Sequence, residues 1–238
     1  MKTLGLILVI VSLIALPNYF TTAKEENLVL YFDFEETGNT AIDKSGNGND
    51  GNIIGAKRSD GKIGKGLSFD GEDDDISFPL KGLFPTAGTI FIWVNQNEVS
   101  ADNSRYIFNH HDPNRIYIKA PEGNLLVTLG NTGLPATGKI LTVGVWYHIA
   151  LAWDNGKYEL YLDGELVQEG TYKGLNDINP SSHLCNHKGI DAFNSAIVDE
   201  LKVFSQTLDE TSIRKAVQGE AVFASDKIAT TWSTIKSQ

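Results

Sequence analysis

The chain has 238 residues, 41% of them hydrophobic, and sets 20 Lys and Arg against 30 Asp and Glu for a formal net charge of −10. That balance offers no broad cationic surface, which excludes nucleic acid and anionic bilayers as leading partners. Its single cysteine, Cys185, excludes an internal disulfide, so stability must come from the size of the core, with or without a metal.

The first residues, MKTLGLILVIVSLIALPNYFTTA, place Lys2 before an apolar run from Leu4 to Leu16. Thr21 and Ala23 then follow the small-residue pattern of a cleavage site. This is the anatomy of a secretory signal over residues 1–23; the run is short for a membrane span, an uncleaved anchor being the other reading. Cleavage leaves about 215 residues with 19 basic and 30 acidic side chains, a net charge of −11 and the size of one β-sandwich. No cysteine occupies a lipid-attachment position, and nothing later is apolar enough to cross a bilayer. The expectation is a protein secreted, displayed at the cell surface or held in a periplasm, with no membrane span once the signal is gone.

Clusters of Gly, Asn, Asp and Ser then interrupt the chain about every ten residues, as an all-β sandwich requires. The intervening runs predict strands over Leu28–Phe34, Gly66–Phe69, Ile76–Phe78, Thr89–Asn95, Tyr106–Asn109, Ile116–Lys119 and Leu125–Leu129. Further strands are expected over Tyr147–Trp153, Tyr158–Leu162, Glu165–Gln168 and Ala196–Phe204. The stretch WYHIALAWDNGKYELYLDGELV is the clearest. Asn155-Gly156 and Asp163-Gly164 supply the paired φ > 0 residues of type I′ turns, so three strands form a meander. Within it Tyr147, Ile149, Leu151 and Trp153 share one face and His148 the other. Residues 210–218 predict one short helix, with Asp209 as its cap, Ile213 and Val217 on one side and Gly219 as its stop. Residues 219–238 form a tail in which Ile228, Trp232 and Ile235 make a helical stripe weakened by Thr230, Thr231 and Thr234. It either docks on the sandwich or serves as a partner-binding or attachment segment.

Six segments in this order carry a family likeness: LVLYFDFEE, DKSGNGNDG, GKGLSFDG, GTIFIWVN, the meander and AIVDELKVF. Together they resemble the laminin-G-like jelly roll of the concanavalin A-like lectin and glucanase superfamily, over roughly residues 27 to 218. The resemblance implies one all-β domain, residues 24–218, built as a two-sheet antiparallel sandwich with the short C-terminal helix. It also places Trp93, Trp146 and Trp153 in the core.

Asp199 falls in phase with Ile197, Leu201 and Val203 on a strand, and a carboxylate on the core side costs several kcal/mol unless paired or coordinated. No basic partner is evident, and oxygen-rich surroundings suit calcium. The family likeness implies a structural calcium held by the last strand's aspartate, here Asp199. The alternative is a carboxylate satisfied by water or backbone N–H groups. Asp43, opening the run Asp43-Lys44-Ser45-Gly46-Asn47-Gly48, is a second candidate ligand. An EF-hand is rejected there because Ile54 stands where the twelfth-position Glu belongs; a tight Asx- and Gly-built loop explains the same residues. The acidic run Glu72-Asp73-Asp74-Asp75 reads as a solvated loop or a weak second cation site.

Catalytic signatures are missing. The glucanases that share the fold set carboxylates on alternate residues of one strand, and no such run occurs here. GxSxG, HExxH and a phosphate loop beside a helix are equally lacking. His110-His111-Asp112 is the one histidine cluster. The expectation is a non-catalytic binding module for glycan or a glycosylated surface, with calcium as a structural aid. Its candidate ligand-binding residues are the loop or outward-facing Tyr106, Asn109, His110, Asp112, Tyr117 and Tyr161. A carbohydrate-active enzyme of the glycoside hydrolase kind, or an adhesive surface protein with a protein partner, is the rival.

Overall fold

A computed structural model describes residues 27–83, 86–99, 105–110, 116–130, 132–175, 182–187 and 193–219. The expected signal segment, Asp112 and the tail beyond Gly219 lie outside these residues. In chain order the strands are β1 (Leu28–Phe32), β2 (Thr40–Ala41), β3 (Gly51–Ile54), β4 (Lys57–Asp60), β5 (Lys65–Asp70), β6 (Asp75–Phe78), β7 (Ala87–Gln96) and β8 (Tyr106–His110). They continue as β9 (Ile116–Lys119), β10 (Leu126–Leu129), β11 (Thr132–Gly133), β12 (Trp146–Asp154), β13 (Lys157–Leu162), β14 (Glu165–Thr171), β15 (Ser182–Leu184) and β16 (Ser195–Phe204). One α-helix, α1 (Glu210–Val217), follows.

Two antiparallel sheets stack face to face. The first runs β14-β13-β12-β7-β16-β5-β4, with β1 paired to the second half of β16. The second runs β11-β10-β9-β8-β15-β6-β3-β2. Every expected strand is present. The five strands not expected, β2, β3, β4, β11 and β15, are two to four residues long, and Lys57–Asp60 is wholly polar, so neither length nor alternation marks them.

Period-two alternation fills the interior. Ile90, Ile92, Val94, Ile149, Leu151 and Trp153 point in from the first sheet, and Ile53, Ile76, Phe78, Ile116, Ile118 and Val127 from the second. Phe32 meets Phe78 edge-on at 5.2 Å, bridging the layers. The meander forms as read. Asn155 and Gly156 have φ of 44° and 86°, and Asp163 and Gly164 have 52° and 80°, the two-residue pattern a tight hairpin needs. The helix is capped by Asp209, whose Oδ1 accepts the Ser212 N–H at 2.8 Å. It lies on the outer face of the first sheet, where Ile213 packs with Phe91, Ala150, Tyr161 and Phe204. The lone thiol, Cys185, is fully buried in the turn after β15, and burial raises its pKa, away from the reactive thiolate. Among the described residues no helix is long and apolar enough to cross a membrane.

Candidate functional site

The expected ligand residues divide among three places. Tyr106, Asn109 and Tyr117 share the outer face of the second sheet, where Asn109 stands opposite Tyr117 and His183. Tyr106 and Tyr117 meet at 87° with centroids 5.1 Å apart, and His187 stacks on Tyr106 at 5.1 Å. Lys119 sets its ammonium 4.3 Å from the Tyr106 centroid and 5.3 Å from that of Tyr117. Beside them Asp75 Oδ1 lies 3.0 Å from His183 Nδ1, and Asn186 Nδ2 donates to the same oxygen. His110, expected with this group, is the register partner of Ile116 on the interior phase. It is fully buried, with Nδ1 2.7 Å from Ser182 Oγ. Tyr161 has the outward phase expected of it, but on the first sheet and beneath α1, its hydroxyl donating to Glu159 at 2.6 Å. The structure therefore brings together three of the six.

The outer face of the first sheet holds what the sequence reading missed. Of the three tryptophans assigned to the interior, only Trp153 is there. Trp93 stands on the outer phase, paired across strands with His148, and half-buried Trp146 is in the same phase two residues from His148. A cavity of about 230 Å³ opens here, lined by Tyr31, Ile63, Phe91, Trp93, His148, Glu200, Lys202, Ala216 and Gly219. Trp93 meets the His148 ring edge-on at 5.1 Å, and Phe91 lies 5.4 Å from it. Glu200 accepts the Tyr31 hydroxyl at 3.0 Å and pairs with Lys202 at 3.0 Å, while Lys202 lies 4.3 Å over the Tyr31 ring. Lys62 caps Trp93 at 4.5 Å. His148 is 2% exposed, and burial pushes its imidazole down to about 3, so it is neutral. Its Nδ1 has no hydrogen-bond partner among the described residues. The signal was available: in Ile90-Phe91-Ile92-Trp93-Val94 both phases are apolar, which requires that both faces of the strand be covered.

A bulge in β16 shapes the cavity's edge. Its register against β7 shifts between Asp199 and Lys202, and Glu200 takes φ 50°. One extra residue switches the phase of the strand. Ala196 and Val198 face inward before the bulge, Leu201 and Val203 after it. Asp199 is therefore not on the core side, as its spacing from Leu201 and Val203 implied. It belongs to the outer phase opposite Trp93 and is sealed beneath the turn at Gly61–Gly64. Its carboxylate accepts the N–H of Ile63 at 2.9 Å and of Glu200 at 2.8 Å. Burial nevertheless pushes its pKa up to about 7.

Both candidate metal ligands, Asp199 and Asp43, are engaged by backbone N–H groups. Asp43 accepts N–H groups from Tyr31, Ser45 and Asn49 at 3.1, 2.9 and 2.9 Å, while Ser45 and Asn49 donate side-chain bonds to the Val29 carbonyl. That is the tight Asx loop, stitched onto β1. Asp199 is satisfied in the same manner, and neither residue belongs to the one acidic group that converges among the described residues. That group is Asp70, Asp73 and Asp74, with oxygens within 4.8 Å of one another.

Residues 70–214 match the model of a family described as the concanavalin A-like lectin/glucanases superfamily. Among solved structures, the chain is similar to domain 4 of AbnA, a GH43 extracellular arabinanase from Geobacillus stearothermophilus, determined in complex with arabinotriose. Identity is 22% and the TM-score 0.70, over 81% of this chain and 98% of that one. The binding domain of Paraclostridial Mosquitocidal Protein 1 shares 17% identity at a TM-score of 0.67, covering 81% of this chain and 52% of that one. A mutant Trypanosoma rangeli sialidase displaying trans-sialidase activity shares 17% at 0.64, covering 80% and 32%. The chain thus spans about half of the toxin domain and a third of the sialidase, and at these identities the likeness is one of fold. A search of curated proteins returns no match.

Proposed function

Since the chain belongs to the concanavalin A-like lectin/glucanases superfamily, we propose that it is an exported, non-catalytic glycan-binding module whose outer cavity on the first sheet receives one sugar ring. The cavity carries this reading. It sets the Trp93 ring, for the C–H face of a sugar, beside the polar groups of Glu200, Lys202 and His148, for its hydroxyls. At about 230 Å³ it falls below the ~300 Å³ at which pockets for larger ligands begin, which suits a single ring. Among the described residues Glu200 is the one carboxylate lining the cavity, already engaged by Tyr31 and Lys202. Glycosidase chemistry uses two carboxyl groups flanking the bond, so recognition is preferred over hydrolysis. Arabinotriose in the AbnA domain lends the reading support by analogy of fold.

The test is a glycan array followed by titration calorimetry of the best neutral oligosaccharide against wild type and Trp93→Ala. Binding that falls at least about tenfold in the variant is expected. Binding unchanged by the substitution would remove the cavity from the account. Array silence with capture of a protein partner would favour an adhesive role, and release of reducing sugar would favour an enzyme.

A further inference from the structure

Half-buried basic side chains in this acidic chain are matched with acceptors almost everywhere. Arg105 pairs with Glu98 at 3.2 Å and Lys202 with Glu200 at 3.0 Å. Arg58 donates to the carbonyls of Phe34 and Thr40, both at 3.1 Å, and Lys215 sits in the last turn of α1, at the negative end of the helix dipole. Lys119 is different. Its half-buried ammonium rests on the faces of Tyr106 and Tyr117, and among the described residues no carboxylate lies within ion-pair distance of it. Ring faces offset part of the desolvation cost, but they leave N–H donors directed away from the rings without an anion.

A second observation on the same face points to a ligand. Asn109 is fully buried, donates its Nδ2 to the Asn186 carbonyl at 3.2 Å, and leaves Oδ1 without a hydrogen-bond partner among the described residues. Asn109 stands opposite Tyr117, and Lys119 is two residues further along the same strand and on the same face. The backbone positions across such a diagonal are about 7–8 Å apart. A cationic donor and a lone acceptor thus share one face of the sheet, with tyrosine rings beside them. A neutral sugar would leave the ammonium unmatched. A simple carboxylate would leave Asn109 Oδ1 unmatched. A ring bearing both a carboxylate and hydroxyls matches the two.

We propose that the outer face of the second sheet holds a site for an acidic sugar, a uronic acid residue, in which Lys119 receives the carboxylate and Asn109 accepts a ring hydroxyl. The site is separate from the cavity on the first sheet and stands or falls independently of it. The protein's net charge restricts such binding to short acidic sugars, because an extended polyanion would be repelled beyond the immediate reach of Lys119.

Titration calorimetry of the whole chain with galacturonate, galactose and acetate tests this, using Lys119→Met, Lys119→Arg and Trp93→Ala with melting curves as the check on folding. Galacturonate is expected to bind more tightly than galactose or acetate and to weaken with added salt. Lys119→Met should cost at least about tenfold and Lys119→Arg much less, as expected for a charge-assisted contact. Trp93→Ala should leave galacturonate binding unchanged. Failure of wild type to bind galacturonate, equal affinity for acetate, or indifference to Lys119→Met would each overturn the proposal. So would a loss confined to Trp93→Ala, which would move the ligand to the cavity. Should Lys119→Met fail to fold, Lys119→Gln carries the same comparison.

Discussion

Acid sensitivity centred on His148 is the sharpest test of the cavity wall. The imidazole is 2% exposed, lies 5.1 Å from Trp93 and 5.4 Å from Phe91, and is held neutral down to about pH 3 by burial, with the Lys202 charge adding to the effect. An unfolded chain takes up that proton near pH 6.5. The folded pKa is depressed, so the unfolded state binds more protons between about 6.5 and 3, and stability is lost as pH falls through this window. Each unit is worth about 1.36 kcal/mol, so His148 alone removes about 2 kcal/mol between pH 6.5 and 4.5 and about 4 kcal/mol by pH 3. Asp199 acts in the opposite direction. Its pKa is raised to about 7, so the folded state binds the extra proton between about 3.8 and 7, and acidification relieves a cost. The wild-type slope therefore mixes both groups, and the informative quantity is a difference. Urea unfolding of wild type and His148→Phe at pH 7 and 4.5 should show the variant losing about 2–3 kcal/mol less on acidification. Equal losses in the two proteins, or an imidazole NMR signal of the folded protein titrating near 6.5, would refute the argument.

Three further outcomes follow from the packing. A Cβ on Gly88 would lie 2.3 Å from the Trp153 ring, so Gly88→Ala should lower stability by about 1–3 kcal/mol in urea unfolding, and no loss would mean that the ring has room to move. Asp199→Asn should lower the melting midpoint by the same amount with calcium and with chelator, because the carboxylate accepts the N–H groups of Ile63 and Glu200. A midpoint raised by calcium in wild type and not in the variant would restore the calcium reading. Removing the helix cap with Asp209→Ala should cost about 1 kcal/mol, as measured by thermal melts, and an unchanged midpoint would mean that packing of Ile213 alone holds α1.

The strands of the meander were legible because alternation and two-residue turns are local: Asn155-Gly156 and Asp163-Gly164 dictate a hairpin whatever lies elsewhere. The Asx loop at Asp43 was legible for the same reason. Strand β15 was not, since three residues in mid-sheet gain their meaning only from β6 and β8 on either side. The candidate site was read in part. Tyr106, Asn109 and Tyr117 do share a face, but a one-residue phase difference put His110 inside, and a helix from the end of the domain covered Tyr161.

Asp199 shows where local reading ends. Counting by twos from Leu201 and Val203 placed it in the core, yet a bulge that only pairing with β7 reveals turned it to the other side. Hydrophobic period and turn chemistry depend on neighbours in sequence, and they determined the fold class, the hairpins and the capped helix. Which outward residues become buried, unpartnered or gathered into a cavity depends on what crosses over them from distant parts of the chain. Tertiary contact alone decided that for Trp93, His148 and Lys119, because desolvation is a property of the assembled surface and not of any single strand.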